Sequence, residues 1–205
     1  GRRFAGIMFL PTAHGDGSTV TQSGGGVGIW SDVQIMRMGA YGIEGMYALH
    51  LHRLGDSARA IVLRGLAFVE TGNLCVNVHE SNGVLIEDSV GIYPAGGQCF
   101  FTQIDRPSQL ADVALVHTNV VGHSAVDNNA DFGGRQREAA AYWPGLTRSV
   151  ALLGTRASGP APNGRGTTGY HWPENGETSL AGTIPPLMIS PEASGQTIAG
   201  FHSWR

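Results

Sequence analysis

The sequence has no lysine and no run of basic residues, and these absences exclude a class of partner. All thirteen positively charged side chains are arginine, and the formal net charge is −3. The chain therefore offers no broad electrostatic attraction to nucleic acid, which we do not expect as a partner. A nucleotide-composition bias in the source genome explains the missing lysine at least as well as a need for the planar fork of arginine.

Long apolar runs are also missing, and cysteines are few. No stretch approaches the roughly 20 apolar residues that span a bilayer, so no membrane span is expected. The first residues lack the pattern of a secretory signal and do not begin with Met, and we expect a processed or excised piece whose compartment the N-terminus does not reveal. The 2 cysteines are too few for a disulfide scaffold, and their spacing is not that of a zinc finger.

Glycine, by contrast, is abundant at 31 residues and is scattered between short apolar runs. The runs DVQIMRMG, AIVLRGLAF, GVLIEDSVG and DVALVHTNVVG are rich in Val, Ile and Leu. None is long enough for an amphipathic helix, and scattered glycine is typical of short strands joined by tight turns. The composition predicts an all-β domain.

The spacing of these runs predicts a solenoid. Taking Ile35, Leu63, Ile86 and Val116 as equivalent gives steps of 28, 23 and 30 residues, and a second series with similar steps (ALHLH, CVNVH, CFFTQ) lies between them. Two interleaved series indicate coils that each supply more than one strand, whereas a sandwich would not require both series to keep step. We predict a right-handed parallel β-helix of about five coils.

The pattern weakens in the last third of the chain. Residues 1–132 are predicted to form regular β-helix coils. Residues 133–205 contain a segment rich in Gly, Pro and Thr and are predicted to form an irregular excursion, with further coils of the same domain returning at runs such as SVALLG and PLMIS.

Alternation along the second series predicts a polar ladder. Side chains of a strand point to opposite faces in turn, so Leu49 and Leu51 are predicted to face the core and the histidines between and after them to face outward. Stacking the next two coils in register adds further outward residues. The predicted ladder is His50, His52, Asn77, His79, Phe101 and Gln103.

Each feature of this ladder has a simpler alternative. The histidines could be solvated surface residues, since outward strand positions need no function. Two histidines at i and i+2 with a third from the adjacent coil could also ligate a metal, although this spacing is weak evidence. Cys75 and Cys99 should stack within disulfide range, but a pair of buried free thiols is the favoured expectation.

The runs MRMGAYGIEGMYALHLHRLGD and CVNVHESNGVLIEDSVGIYPAGGQCFFTQ resemble the β-helix region of the cell-migration-inducing and transmembrane cell-surface hyaluronidases, a region shared with fibrocystin-like proteins. The resemblance covers about 32–103 well, and AAAYW and TGYHW resemble later aromatic segments of the family. The family's preceding G8 domain has no counterpart, so the resemblance is to a β-helix core alone.

The resemblance implies a glycoside hydrolase acting on hyaluronan or a related acidic glycosaminoglycan, in an extracellular or cell-surface location. Within that class, the residues allow a mechanism whose catalytic candidates are Asp56, His50, His52 and Asp105. The substrate-binding candidates are Arg53, Asn77, His79, Phe101, Gln103, Trp143 and Trp172. Arg53 would pair with a substrate carboxylate, and the aromatic side chains would stack on sugar rings. No cofactor is assigned with certainty, and Ca²⁺ is a candidate ion.

Two other functions remain open. A polysaccharide lyase would use His50 as a base and Arg53 to neutralise the uronate carboxylate. A catalytically silent carbohydrate-binding or adhesive β-helix is favoured by a departure from the family pattern, because Glu-Asp-Gly after Phe-Phe is Gln103-Ile104-Asp105 here. A glycosidase generally needs two carboxyl groups flanking the scissile bond.

Overall fold

The structure is a computed structural model that describes residues 6–9, 29–40, 43, 45–95, 98–103, 112–123, 139–144, 149–160, 167–172, 187–196 and 199–203. These residues form nineteen strands in three parallel sheets and one short 3-10 helix at Asp56–Ala60. This confirms the all-β parallel β-helix.

The chain visits the three sheets in turn, one strand from each coil. Sheet A contains β1 Ile7–Phe9, β4 Leu49–Gly55, β7 Val76–Ser81, β10 Phe100–Gln103, β13 Ala139–Pro144, β16 Thr167–Trp172 and β19 Ala199–Ser203. Sheet B contains β2 Ile29–Ser31, β5 Val62–Arg64, β8 Val84–Glu87, β11 Asp112–Val116, β14 Ser149–Leu153 and β17 Leu187–Ile189. Sheet C contains β3 Gln34–Met36, β6 Ala67–Val69, β9 Val90–Ile92, β12 Asn119–His123, β15 Arg156–Pro160 and β18 Glu192–Ser194. The division of the chain at residue 132 stays a prediction, although strands on both sides of it share the same sheets.

The predicted register of the apolar runs is partly wrong. Leu63 does face Ile86, but Ile86 faces Leu115 rather than Val116. Ile35 belongs to sheet C, where it faces Phe68. Apolar residues recur on two successive sheets of each coil, so spacing along the chain cannot tell which of two neighbouring runs is the true partner.

The corners between sheets B and C repeat one backbone conformation. Each corner has a residue with positive φ, a conformation that favours Gly, Asp and Asn. These residues are Asp32, Gly65, Asp88, His117, Gly154 and Ser190. Successive corners are joined by backbone hydrogen bonds, such as that from the N–H of Gly154 to the carbonyl of Ile189 at 2.8 Å. Repeated corners of this kind account for part of the glycine content.

A column of stacked aromatic rings runs through the later coils and is buried except at its last ring, Phe201, which is 47% exposed. Phe100, Tyr142, Tyr170 and Phe201 stack nearly parallel, with successive ring centroids 5.6, 4.9 and 4.8 Å apart. The hydroxyl groups of Tyr142 and Tyr170 donate to the carbonyls of Thr118 and Thr155, each at 2.7 Å. Burial raises the pKa of Tyr170 to about 12, so its hydroxyl stays a hydrogen-bond donor.

The two cysteines lie on adjacent coils, as predicted, but they are not free thiols. Cys75 and Cys99 form a disulfide with their Cα atoms 4.5 Å apart. Both are fully buried, and the backbone bond from the N–H of Val76 to the carbonyl of Cys99 holds the two coils together beside them at 2.9 Å. The expectation of free thiols was therefore wrong.

Candidate functional site

The outer face of sheet A carries the predicted ladder in the predicted register. His50 faces Asn77 and His52 faces His79 across β4 and β7. On the next coil, Phe101 faces Asn77 and Gln103 faces His79. Strand alternation explains this arrangement, because Leu49, Leu51, Val76 and Val78 are buried on the opposite, core side of the same strands.

The three histidines of the ladder form one compact cluster. The ring centroid of His52 lies 5.0 Å from that of His50 and 4.9 Å from that of His79, with the rings edge to face. The His50 and His79 rings are 5.9 Å apart and nearly parallel. One ring nitrogen of each histidine lies within 4.8 Å of the others. Residues that are 27 apart in sequence thus meet on one face.

This cluster is buried rather than solvated. His50 is 3% exposed and His79 is 6% exposed, and Asn77 is fully buried, whereas His52 is half-buried. The chain before β4 helps to bury His50, since the Tyr47 ring lies edge to face 4.9 Å from the His50 ring. The interpretation of these positions as solvated surface is wrong for the buried members.

The surroundings of His50 indicate which of its ring nitrogens carries a proton and whether the ring is charged. Its Nδ1 lies 3.3 Å from the carbonyl oxygen of Gly45, and because a carbonyl can only accept, Nδ1 carries the proton and Nε2 carries the lone pair. Burial, and next the neighbouring His52, lower the pKa of His50 to about 4. The imidazole is therefore neutral at pH 7. Its Nε2 is buried and has no hydrogen-bond partner.

Asp56 lies beyond the end of β4, at the start of the 3-10 helix. Its Oδ1 accepts hydrogen bonds from Nδ2 of Asn82 at 3.0 Å and from Nε of Arg59 at 3.2 Å. The bond from Asn82, and next that from Arg59, lower the pKa of Asp56. The side chain is 75% exposed, and as an anion at neutral pH it suits the role of a base better than that of an acid.

Sequence reasoning missed a buried carboxylate beside the cluster. Glu80 directly follows His79, and its side chain is 1% exposed. Its Oε2 lies 3.2 Å from Nε of Arg53, whose side chain is 43% exposed. Arg53, predicted to bind a substrate carboxylate, thus already contacts one from the protein. The sequence does contain a signal for this carboxylate. Strict alternation along β7 directs Glu80 towards the core, where a charged residue needs a partner.

For most of the remaining predicted site residues, only the position on a strand is described. Phe101 is half-buried and faces Trp143 on β13, and Trp172 lies on β16 opposite Ser203. The side chains of Gln103, Trp143 and Trp172 are outside the described part of the structure, as is the whole of Asp105. Their assignments stay predictions.

Comparison with known proteins places this site within a recognised segment. Residues 17–105 match the family model described as the CEMIP β-helix, somewhat less than half of the 205 residues. The matched segment contains every described candidate on β4, β7 and β10, together with Asp56. No solved structure matches the chain significantly.

Individual relatives agree with the family match. The chain is 41% identical over 73 residues to the human cell migration-inducing and hyaluronan-binding protein, covering 33% of this chain and 5% of the relative. It is 35% identical over 77 residues to a zebrafish (Danio rerio) cell surface hyaluronidase, covering 35% and 6%. A G8 domain-containing protein of Dictyostelium discoideum is 25% identical over 189 residues, covering 84% and 12%. The chain therefore spans only a small part of each of these relatives.

The described residues also include no helix that is both long and apolar enough to cross a membrane.

Proposed function

Residues 17–105 match the family model described as the CEMIP β-helix, and on that basis we propose that the chain binds and hydrolyses an acidic glycosaminoglycan of the hyaluronan type. The observation that carries the proposal is that the matched segment contains the histidine cluster, Arg53 and Asp56 together. Relatives that match over this segment are named as a hyaluronidase and as a hyaluronan-binding protein.

The proposed binding surface is the part of the outer face of sheet A that is not fully buried, at His52 and Phe101. Parallel coils repeat every 4.7–4.9 Å or so, and a repeating surface suits a repeating polymer. Phe101 is half-buried at the edge of the histidine cluster, where its ring can stack on a sugar. Trp143 pairs with Phe101 in the register of the next coil.

Hydrolysis of a glycosidic bond requires an acid that protonates the leaving oxygen and a base or nucleophile on the other side. Asp56 is an anion at neutral pH, with its pKa lowered by the hydrogen bond from Asn82, and we assign it as the base that takes a proton from water. Asp105 is the proposed acid. Glu80 is less suited to either role because Arg53 already contacts it.

A second candidate function, binding without cleavage, is favoured by that same ion pair. The buried carboxylate nearest the cluster in sequence is Glu80, and it is already paired with Arg53 at 3.2 Å. If the acid is not supplied elsewhere, the β-helix would bind the polymer and leave it intact.

The proposed location is extracellular or at a cell surface. The Cys75–Cys99 disulfide supports this, because disulfides persist in oxidising compartments and are rare in the cytosol.

Incubation with size-defined hyaluronan, chondroitin and an uncharged polysaccharide tests the proposal. Shortening of hyaluronan without new ultraviolet absorbance indicates hydrolysis, whereas absorbance from a new double bond would indicate a lyase. Asp56→Asn should abolish shortening and preserve binding. The matched control is Asp88→Asn, another exposed aspartate at a different corner of the coil, which should retain full activity.

Two results would contradict the proposal. Binding without shortening in the unaltered protein selects the silent binder. Absence of binding to every acidic polymer excludes both functions, provided that far-ultraviolet circular dichroism shows a folded β protein.

A further inference from the structure

We propose that His50, His52 and His79 bind one divalent cation of the zinc class through their imidazole nitrogens. The inference concerns the cluster itself and holds whether or not the chain cleaves a polysaccharide.

The positions of the three rings agree with a tetrahedral centre. With Zn–N distances of about 2.0–2.1 Å, a tetrahedral ion holds neighbouring imidazole centroids about 5 Å apart. The observed centroid distances are 5.0, 4.9 and 5.9 Å. Nitrogens bound to such an ion would lie about 3.3 Å apart, against an upper limit of 4.8 Å here. Small rotations of the rings are enough to close this difference.

The orientation of His50 is that of a metal ligand. Its Nδ1–H donates to the carbonyl of Gly45 at 3.3 Å, and a ligating histidine usually donates its other ring nitrogen to a carbonyl or carboxylate in this way. The arrangement leaves the lone pair of Nε2 free for an ion. That nitrogen is buried and lacks a hydrogen-bond partner, which is costly for a polar atom unless something binds it.

The strands hold the ligands in place before any ion arrives. His52 and His79 face each other in the register of β4 and β7, and His50 lies two residues from His52 on the same face. The buried residues beneath them, Leu51 and Val78, prevent the strands from shifting. A cluster on two hydrogen-bonded strands is a rigid scaffold, so little conformational entropy is lost on binding.

The donor atoms determine the class of ion. Three imidazole nitrogens suit Zn²⁺, Co²⁺, Ni²⁺ or Cu²⁺, whereas Ca²⁺ takes six to eight oxygen ligands. The cluster therefore does not fit Ca²⁺, the candidate ion of the sequence analysis. Three protein ligands on a tetrahedral ion leave one coordination position, which water or a sugar oxygen can take.

Titration of tag-free, metal-stripped protein with Co²⁺ tests the site directly. The expected result is one equivalent bound, with the intense visible d–d absorption of a tetrahedral ion, displaced by Zn²⁺ and not by Ca²⁺. An affinity tag must be absent because a histidine tag would bind the same ions. The readout does not require polysaccharide, so failure of this test and failure of the proposed function are distinguishable.

The first variant replaces His52, because it is the half-buried member of the cluster. His52→Ala should weaken Co²⁺ binding by more than about 100-fold, because even a residue that only orients a ligand is worth about 10–100-fold. His117→Ala is the matched control, since this exposed histidine lies beside Asp88 at another corner. His171→Ala tests a second pair, as His171 faces His202 on β16 and β19.

Three outcomes would overturn the proposal. The first is a lack of stoichiometric binding by the unaltered, folded protein, which would leave the cluster as a packed group of neutral imidazoles. The second is unchanged Co²⁺ affinity in His52→Ala. The third is loss of binding in His171→Ala but not in His52→Ala. Circular dichroism and an intact disulfide by mass spectrometry establish that each variant is folded.

Discussion

Gly91 and Cys99 share one space inside the coil: a Cβ added at Gly91 would collide with Sγ of Cys99 and lie 3.3 Å from Sγ of Cys75. Gly91 lies at the centre of β9 between Phe68 and Val120, both fully buried. The disulfide therefore occupies the place that a side chain on this strand would take.

Gly91→Ala should destabilise the protein by about 1–3 kcal/mol, the usual cost of overpacking a filled core. The cause is steric, because the sulfur atoms it meets are held by a covalent bond and cannot rotate away. Chemical denaturation followed by tryptophan fluorescence measures the change.

A double-mutant cycle provides the control. In a Cys75→Ala/Cys99→Ala background, the sulfur atoms are gone and Gly91→Ala should cost far less, so the two changes are strongly coupled. Equal costs in both backgrounds would mean that Gly91 is required for another reason.

Loss of the disulfide should itself lower the free energy of unfolding. The two cysteines are 24 residues apart, and closing a loop of that size is worth about 3–4 kcal/mol in the chain-entropy account. Cys75→Ala/Cys99→Ala and the reduced protein should show similar losses of thermal stability. No difference between oxidised and reduced protein would contradict the prediction.

Arg53→Ala should destabilise the fold more than an arginine substitution at an exposed ion pair. Glu80 is almost fully buried, and weakening the pairing of a buried charge costs about 1–3 kcal/mol. The control is Arg37→Ala, whose partner Glu70 is exposed, and an exposed pair is worth less than about 1 kcal/mol. Similar melting temperatures for the two variants would show that the Arg53–Glu80 contact contributes little.

The buried His123 should contribute to the pH dependence of the free energy of unfolding. Burial lowers the pKa of His123, and its Nε2 lies 2.9 Å from the carbonyl of Thr168. The unfolded chain binds a proton near pH 6.5, whereas the folded protein does not. The contribution of this group to stability is therefore present above about pH 6.5 and is lost as the pH falls below it.

His123→Gln should reduce this acid-side loss while keeping a donor for the Thr168 carbonyl. Melting temperatures of both proteins between pH 7.5 and 5, measured by calorimetry, provide the comparison. His50 acts in the same direction, so a smaller slope is expected rather than none. An unchanged slope would indicate that His123 is protonated in the folded protein.

Several features of the site could be predicted from the sequence because they depend on local alternation. The outward placement of His50 and His52 and the inward placement of Leu49 and Leu51 follow from the two-residue period of a strand. The pairing of Cys75 with Cys99 on adjacent coils follows from the length of one coil. Whether two stacked cysteines form a bond depends on distances that the spacing does not give.

The sequence by itself determined the fold class, since short apolar runs with a regular spacing leave few alternatives to stacked coils, and it determined which residues of β4 and β7 face the core. Only the tertiary structure decided that the histidine cluster is buried, that Glu80 meets Arg53 and that Gly91 makes room for sulfur. The reason is physical: alternation specifies a direction from the strand, but burial and pairing depend on whichever distant segment packs there.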